Sequence, residues 1–236
     1  MVKKQMVLSP RLSCLKDWVP KGARLADVGT DHGFLPVCLL LEGICSFVIA
    51  SDIGEGPLER AKETARRYGV MDRMSLIRSD GLTLIQPQTV DTIVIAGMGG
   101  ETMIHILEQA PWVCDAKYTL LLQPMSKSKE LRQFLMHHGY EVEREQLVEE
   151  HPFLYHVLLA RGGGTPQQPT DLALRYGSQA LWSSGDPLLY RYWEKTMEKL
   201  DRALEGLQQS KRPESAARCR ELERERAALL QKRKEI

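Results

Sequence analysis

The stretch Leu25-Ala-Asp-Val-Gly-Thr-Asp-His-Gly33 decides the predicted fold of this chain. Its apolar start runs into Asp27 and Gly29, and the apolar segment Phe34 to Leu41 follows. This order predicts a buried parallel strand, a tight turn and the N-terminus of a helix. Ligands of doubly wound sheets bind beyond the carboxyl ends of the strands. The turn is therefore the first candidate for a functional site.

This turn differs from a dinucleotide-binding loop. Gly29 permits a sharp exit from the strand, and Gly33 is expected to let the helix pack closely on the sheet. Asp31, however, stands where the dinucleotide pattern has its middle glycine. A carboxylate there favours a cationic ligand without phosphate, and S-adenosylmethionine fits because its amino-acid end is positively charged beside Asp27 and Asp31. The alternative is a glycine turn that serves packing only.

Two further predicted strands, in residues 47–52 and 74–81, each end in an acid. Asp52 lies 23 residues after the first glycine of the turn. An acid at about this spacing accepts hydrogen bonds from the ribose hydroxyls of an adenosine, although capping of the next helix is the alternative. Asp80 is a candidate acceptor for the adenine amine, and Gly81 would leave room for the ring edge. An ordinary Asp-Gly turn explains this pair equally well.

The fourth predicted strand, residues 91–96, is followed by Gly97-Met-Gly-Gly100. Three glycines in four positions exceed what one turn requires. We therefore expect the backbone to approach a flat substrate here, with Met98 as a polarizable wall. A flexible connection to the next helix is the alternative. The fifth strand, residues 118–124, carries a polar Gln123 at its exit.

The segments 140–149 and 153–160 predict the last two strands. Their short connection implies an antiparallel pair at the sheet edge. Five parallel strands closed by such a pair describe a class I methyltransferase fold, an α/β Rossmann-like sheet that is mostly parallel with an antiparallel edge. A short amphipathic helix within residues 7–20, with Ser9 as its N-cap and Pro10 at its first position, precedes the sheet.

A glycine- and proline-rich segment, residues 161–169, predicts a boundary between two domains. The first, residues 1–163, would bind S-adenosylmethionine, and the second, residues 164–236, would be an α-helical coiled-coil domain. Two helices, from Asp186 and from Pro213 to about Lys234, predict an antiparallel hairpin. The apolar seam of the first helix is Tyr190, Trp193, Met197, Leu200, Leu204 and Leu207. The second helix is rich in arginine and lysine, which indicates either a solvated face or an arm that grips RNA.

Composition limits the classes of function. The net charge is +1, with 17 basic and 20 acidic residues in 1–160 against 15 and 11 in 161–236. This mild asymmetry permits nucleic-acid binding by the C-terminal part. Apolar runs are too short for a membrane helix, and five cysteines without paired spacing predict reduced thiols in a cytoplasmic protein. Histidines and cysteines lack metal-ligand spacing, so no metal site is expected.

Taken together, these residues resemble the bacterial tRNA (adenine(22)-N1)-methyltransferases of the TrmK family. The resemblance covers nearly the whole chain. Its most specific part combines Thr30-Asp-His32 with Gly97-Met-Gly-Gly100. The other matching segments are Leu8-Ser-Pro-Arg-Leu12, Ala26 to Gly33 with Leu35-Pro36, Ala50 to Ile53, Ser79 to Gly81, Ile95 to Gly100, Leu122-Gln-Pro124 and Tyr155. The chain departs from the family pattern at Met125 and at residues 151–154.

The resemblance implies a Rossmann-like methyltransferase domain, a C-terminal coiled coil, S-adenosylmethionine as cofactor and tRNA as substrate. The cofactor-binding residues implied are Asp27, Gly29, Asp31, His32, Gly33, Asp52, Ile53, Asp80, Gly81, Gly97, Met98 and Gly99. Adenine N1 carries a free lone pair, so the transfer needs alignment and a suitable electrostatic environment rather than a general base. Candidate residues for framing the base and for polar contributions are Asp31, His32, Gln123 and Tyr155.

Three other functions stay open at this point. The first is a methyltransferase for a small molecule or a protein. The second is an NAD-dependent oxidoreductase, which Asp31 and the terminal antiparallel pair disfavour. The third is a non-catalytic RNA-binding protein with a degenerate methyltransferase fold, which the three strand-end acids disfavour. The chain is expected to be a monomer or a homodimer.

Overall fold

The computed structural model describes residues 6–209 and 214–234. Within these ranges seven strands form one sheet: β1 (Leu25–Val28), β2 (Val48–Asp52), β3 (Met74–Arg78), β4 (Thr92–Gly99), β5 (Thr119–Ser126), β6 (Glu141–Glu150) and β7 (Phe153–Arg161). Their order is β3-β2-β1-β4-β5-β7-β6. Strands β1 to β5 are parallel, and β7 runs antiparallel to both β5 and β6. The predicted fold class is confirmed.

The helices in the described residues are α1 (Pro10–Trp18), α2 (Phe34–Leu41), α3 (Glu55–Tyr68), α4 (Gly100–Glu108), α5 (Ser128–His137), α6 (Asp171–Tyr176), α7 (Gln179–Trp182), α8 (Leu189–Gln208) and α9 (Ser215–Arg233). Helix α3 begins at Glu55, two residues before Pro57. A proline is tolerated in the first turn because its missing N–H would have no partner within the helix. None of these helices is long and apolar enough to cross a lipid bilayer.

Both faces of the parallel strands are buried. Along β4, Ile93 and Ile95 face a core shared with α4 and α5, whereas Val94 faces a second core shared with α1 and α2. This alternation follows from the two-residue repeat of a strand. It explains why these strands read as continuous apolar runs in the sequence, and why their polar residues concentrate at the strand ends.

The fourth strand is longer than the predicted range, residues 91–96. Strand β4 continues to Gly99 and pairs with an equally extended β5, with irregular register around Met98. Residue Ala96 pairs with Gln123 and Met98 pairs with Pro124, so Gly97 is left out of the register. Proline is tolerated at an irregular position of this kind because it does not have to donate a ladder hydrogen bond.

The C-terminal helices α8 and α9 form the predicted antiparallel hairpin. Trp193 Nε1 donates to the Leu229 carbonyl over 3.3 Å near one end of the pair. Met197, Leu200 and Leu204 are buried as predicted, but Tyr190 is 55% exposed and lies under Arg233, so its place in the apolar seam was wrong. The predicted start of the second helix at Pro213 lies outside the described residues. The division into domains at residue 163 stays a prediction.

A buried ionic cluster joins this hairpin region to the sheet. Glu145 of β6 accepts hydrogen bonds from Arg132 of α5, over 3.2 Å, and from the Ser178 N–H, over 2.7 Å. Its Oε1 also lies 2.7 Å from His156 Nδ1. Burial raises the pKa of Glu145, but the charge of Arg132 and the contact with His156 outweigh this and hold it far below its usual range. Burial and Arg132 lower the pKa of His156.

Candidate active site

A cavity of about 240 Å³ lies at the carboxyl ends of β1, β4 and β5. This is the edge of the sheet where ligands of doubly wound folds bind. The residues that line the cavity are Arg11, Leu12, Asp27, Gly29, Thr30, Asp31, His32, Phe34, Leu35, Ala96, Gly97 and Gln123. Six of these are predicted site residues, namely Asp27, Gly29, Asp31, His32, Gly97 and Gln123.

The turn after β1 is fixed by its neighbours. The N–H groups of Gly29 and Thr30 donate to the Ser51 carbonyl over 2.8 and 3.0 Å. Gly29 has φ +77°, a conformation that favours glycine, and a Cβ there would lie 2.0 Å from Met98 Cε and would have to displace the end of that side chain. A Cβ at Gly33 would contact Ala61 of α3 rather than a strand. The prediction that Gly33 allows packing on the sheet was therefore wrong, because its close neighbour is a helix.

Asp27 is the buried acid of the cavity, with 6% of its surface exposed. Burial raises the pKa of Asp27 to about 6; a hydrogen bond from the Thr30 side chain opposes this rise, and the negative charge of Asp52 adds to it. A buried carboxylate without a paired cation is costly, and a bound cation would reverse that cost. Among the residues that line the cavity, Asp27 is therefore the one best suited to bind a positively charged group.

The other two strand-end acids lie beside the cavity rather than in its wall. Asp52 is half-buried, and its Oδ1 accepts a hydrogen bond from the Gly54 N–H over 2.9 Å. The Ser79 N–H donates to the Asp52 carbonyl over 3.0 Å, so the ends of β2 and β3 are adjacent. Asp80 is exposed there, and Ile53 is 64% exposed. The three acids therefore end three neighbouring strands at one edge of the sheet.

The side chains of Asp31 and His32 occupy the mouth of the cavity. Asp31 has φ +42° and forms an ion pair with Arg60 of α3. His32 Nε2 lies 3.6 Å from Asp31 Oδ2, and the His32 ring stacks on Phe34 with 5.1 Å between centroids. Because Asp31 already forms an ion pair with Arg60, the Asp31 carboxylate is less available to a cofactor than the sequence suggested.

The glycines after β4 and β3 serve two different purposes. Gly97 has φ +75° and no atom within 4 Å of the position of a Cβ, so it faces open space at the cavity. A Cβ at Gly100 would lie 2.3 Å from the Lys127 carbonyl oxygen, and one at Gly81 would lie 2.9 Å from Ile106. Gly100 and Gly81 therefore allow close packing. Met98 covers Gly29, and Gly99 is the N-cap of α4.

Arg11 is a cavity residue to which the sequence assigned no role. Its Nη1 donates to Gln123 Oε1 over 2.8 Å, and its guanidinium lies 4.9 Å from the centre of the Tyr155 ring. The same Gln123 oxygen accepts a hydrogen bond from the Gly97 N–H over 3.1 Å. Tyr155 thus adjoins the cavity through Arg11. The only sequence signal was the segment Leu8 to Leu12 in the family resemblance.

A buried hydroxyl group near the cavity indicates room for a ligand. Ser51 Oγ is buried and has no partner with hydrogen-bond geometry among the described residues, whereas the Thr30 hydroxyl interacts with Asp27. Buried polar atoms are rarely left unpaired, so such an atom beside a cavity points to a missing partner. Together with the acids and the open face of Gly97, it fits a polar, cationic nucleoside. No group of three or more potential metal ligands occurs in the described ranges.

Comparison with known proteins agrees with this geometry. Residues 8–158 match a family described as a methyltransferase domain. The chain is 36% identical over 159 residues to the tRNA (adenine(22)-N(1))-methyltransferase of Bacillus subtilis, an alignment covering 67% of each protein. The chain belongs to the TrmK family of tRNA (adenine(22)-N1)-methyltransferases.

Solved structures of TrmK proteins extend the likeness to the whole fold. The crystal structure of Bacillus subtilis TrmK has a TM-score of 0.84 at 28% identity, covering 97% of this chain and 99% of that one. A Streptococcus pneumoniae protein described as a tRNA (m1A22) methyltransferase, solved with S-adenosyl-L-methionine, has a TM-score of 0.81 at 28% identity, covering 96% and 99%. The helical hairpin therefore lies within the part of the fold that is shared with these TrmK structures.

Proposed function

We propose that this protein transfers the methyl group of S-adenosylmethionine to N1 of adenine 22 in tRNA. The observation that carries the proposal is the cavity at the ends of β1, β4 and β5, with a buried Asp27 in its wall that has no paired cation among the described residues, in a member of the TrmK family. The cofactor and the tRNA substrate follow from the TrmK relatives named above. The site residues follow from the geometry of this chain.

The ends of β1, β2 and β3 would hold the cofactor. Asp27 would pair with the ammonium group of its amino-acid end, and Asp52 would accept hydrogen bonds from the ribose hydroxyls. Ile53 and Asp80, both exposed, would contact the adenine, Ile53 against the ring and Asp80 at its amine. Gly29, Gly33, Gly81 and Gly99 keep the neighbouring backbone in position, and Gly97 leaves space.

The target adenine would enter on the side of Gly97, Gln123 and Tyr155. S-adenosylmethionine supplies a methyl group on a positively charged sulfur, which the free lone pair of adenine N1 can accept without prior deprotonation. The contribution of the protein is alignment and an environment that tolerates the positive charge that the base acquires. Asp31 and His32, at the mouth of the cavity, are the polar side chains available to that charge. A target base in a tRNA helix or loop must leave its stack to reach this depth.

The hairpin α8–α9 would contact the tRNA. Arg220 and Arg224 lie one helical turn apart on α9, both are exposed, and neither forms an ion pair seen in the described part of the chain. Free arginines on one face are suited to phosphate contacts. Other basic residues of α9 are engaged within the protein, such as Arg226 with Asp201 and Arg218 with Glu221. We further infer a monomer or homodimer that acts in the cytoplasm.

The test is methylation of unmodified tRNA with methyl-labelled S-adenosylmethionine, followed by nucleoside analysis. We expect 1-methyladenosine as the product, and no product when adenine 22 of the tRNA is replaced by another nucleotide. The protein variant Asp27→Ala should bind tRNA with unchanged affinity but should lose cofactor binding. Product at another atom or at another nucleotide would contradict the proposal.

A further inference from the structure

The N-terminus of α1 is attached to the end of β6 by a side chain distant in sequence. Glu150 Oε1 accepts a hydrogen bond from the Arg11 backbone N–H over 3.1 Å. The first N–H groups of a helix have no partner within the helix, and a carboxylate there is also favoured by the helix dipole. The Ser9 hydroxyl makes no capping bond, so Glu150 does what we expected of Ser9.

The same carboxylate also orients the Arg11 side chain. Glu150 Oε2 lies 2.9 Å from Arg11 Nε, and both side chains are mostly buried, with 21% and 23% of their surfaces exposed. Partial burial raises the pKa of Glu150, but the Arg11 hydrogen bond and charge keep it below its usual range. Glu150 is therefore ionised at neutral pH, and the Arg11 guanidinium is held in one orientation.

The oriented guanidinium in turn fixes two groups at the cavity. Its Nη1 donates to Gln123 Oε1 over 2.8 Å, and its Cζ lies over the Tyr155 ring, 4.9 Å from the ring centre. The Gly97 N–H donates to the same Gln123 oxygen, and Gln123 Nε2 donates to the Pro124 carbonyl over 3.0 Å. With two donors on its oxygen, the Gln123 amide has one orientation, and its Nε2 also donates to Met125 Sδ over 3.7 Å.

From this geometry we infer that Arg11 is a positioning residue for the target base, an inference that rests on the proposed function. Through Gln123 it holds the Gly97 amide, and through stacking it holds the Tyr155 ring, on the side of the cavity where the adenine would enter. The Glu150 carboxylate neutralises the guanidinium. The pair therefore adds no net positive charge beside a base that itself becomes positive, which an isolated arginine would do.

The guanidinium fork is essential to this role. One plane must stack on Tyr155 while separate nitrogens reach Glu150 and Gln123, and a lysine ammonium cannot make these contacts together. Arg11→Lys therefore keeps the charge and loses the positioning. Arg161, whose Nε lies 3.1 Å from Glu143 at the opposite end of β7, is a matched Arg–Glu pair away from the cavity.

The first experiment uses no RNA. Amide NMR spectra of the full-length protein are recorded for wild type, Arg11→Lys and Arg161→Lys. We expect the amide chemical shifts of the Gly97 backbone and the Gln123 side chain to change in Arg11→Lys and to stay unchanged in Arg161→Lys. Unchanged signals in Arg11→Lys would overturn it. This measurement is independent of whether tRNA is the substrate, so it separates failure of the inference from failure of the proposed function.

The second experiment measures kcat, KM for tRNA and Kd for S-adenosylmethionine. We expect Arg11→Lys and Arg11→Ala to lower kcat at least tenfold and to change the cofactor Kd less than threefold. Glu150→Gln should lower kcat by a smaller factor, and Arg161→Lys should leave it unchanged. Full activity of Arg11→Lys, or equal losses of kcat and cofactor binding, would overturn the inference. If Arg11→Ala does not fold, the kcat values of Arg11→Lys and Glu150→Gln test the positioning role of Arg11.

Discussion

Asp27 and Asp52 end two adjacent strands, and the charge of Asp52 adds to the effect of burial in raising the pKa of Asp27 to about 6. Their strands are in register, with Asp27 opposite Ala50 and Val28 opposite Ser51. In the absence of a ligand this proximity is unfavourable, because Asp27 lacks a paired cation. In a cation-binding site, this loss of stability is present in the ligand-free protein and is relieved when the cation binds. Two predictions follow from this loss of stability.

The first prediction is that Asp27→Asn stabilises the ligand-free protein at pH 7.5. The folded-state pKa of about 6 lies above the ordinary value of 3.8, so the folded protein holds a proton that the unfolded chain has lost. Asp27 therefore lowers the free energy of unfolding as pH rises from about 4 to 6, by up to about 3 kcal/mol. Urea unfolding at pH 7.5 and pH 4 measures the difference, which should disappear at pH 4. Equal stability of the two proteins at pH 7.5 would contradict the raised pKa.

The second prediction concerns cofactor affinity. Below pH 6 a proton competes with the cationic end of S-adenosylmethionine for Asp27, so Kd should rise about tenfold for each pH unit below 6. Isothermal titration calorimetry from pH 5 to pH 8 checks this. The Asp27→Asn protein should bind more weakly at pH 8 and show a flat pH profile. A wild-type profile as flat as that of the variant would exclude Asp27 as the cation partner.

The third prediction compares two glycines with positive φ. Gly29→Ala and Gly43→Ala impose similar backbone strain, at φ +77° and +68°, but only the first adds a contact, with Met98. Each should cost about 1–2 kcal/mol of unfolding free energy for the backbone alone. Gly29→Ala should cost more and should abolish cofactor binding, whereas Gly43→Ala should bind normally. Combining Gly29→Ala with Met98→Ala should recover part of the extra stability loss, and no recovery would mean that Met98 is not the obstacle.

The fourth prediction concerns the buried cluster of Arg132, Glu145 and His156. Glu145→Gln leaves Arg132 without its charge partner and should cost about 3–5 kcal/mol of unfolding free energy. The exposed pair Arg161–Glu143 provides the control, because Glu143→Gln should change stability by less than about 1 kcal/mol. The lowered pKa values of Glu145 and His156 both mean that the unfolded chain binds protons more readily. The contribution of this cluster to stability should therefore fall as pH drops below about 6.5, and guanidinium unfolding of Asp27→Asn, which lacks the opposite effect of Asp27, measures it.

The fifth prediction concerns the hairpin. Charge reversal of Arg220 and Arg224 should raise KM for tRNA and reduce the salt dependence of tRNA binding, with no effect on the cofactor Kd. Arg67→Glu, at the exposed C-terminal end of α3, is the control for net charge. If the control raises KM as much as the hairpin variants do, the effect reflects overall charge, and the hairpin is not the contact surface.

The sequence predicted the sheet well because its strands are buried on both faces and end in acids and glycines. The position of Asp27 at the cavity and the antiparallel edge pair follow directly from such patterns. The role of Arg11 does not, because its partners Gln123 and Glu150 are 112 and 139 residues away. Local patterns carry no information about contacts at that separation.

Other differences also have local causes. The fourth strand was predicted to end at residue 96, but pairing with an extended β5 continues β4 to Gly99, although glycine disfavours strands. Tyr190 fits the helical spacing of an apolar seam, yet its ring contacts the Arg233 guanidinium and stays 55% exposed to solvent. An amphipathic ring can satisfy the spacing of a seam without belonging to it.

The most direct test of the proposed activity is to map the methyl group that the wild-type protein transfers to unmodified tRNA from labelled S-adenosylmethionine. We expect a single product, 1-methyladenosine at position 22, and no product when Asp27→Asn is assayed at limiting cofactor. Transfer to another position, or undiminished transfer by Asp27→Asn under those conditions, would contradict it.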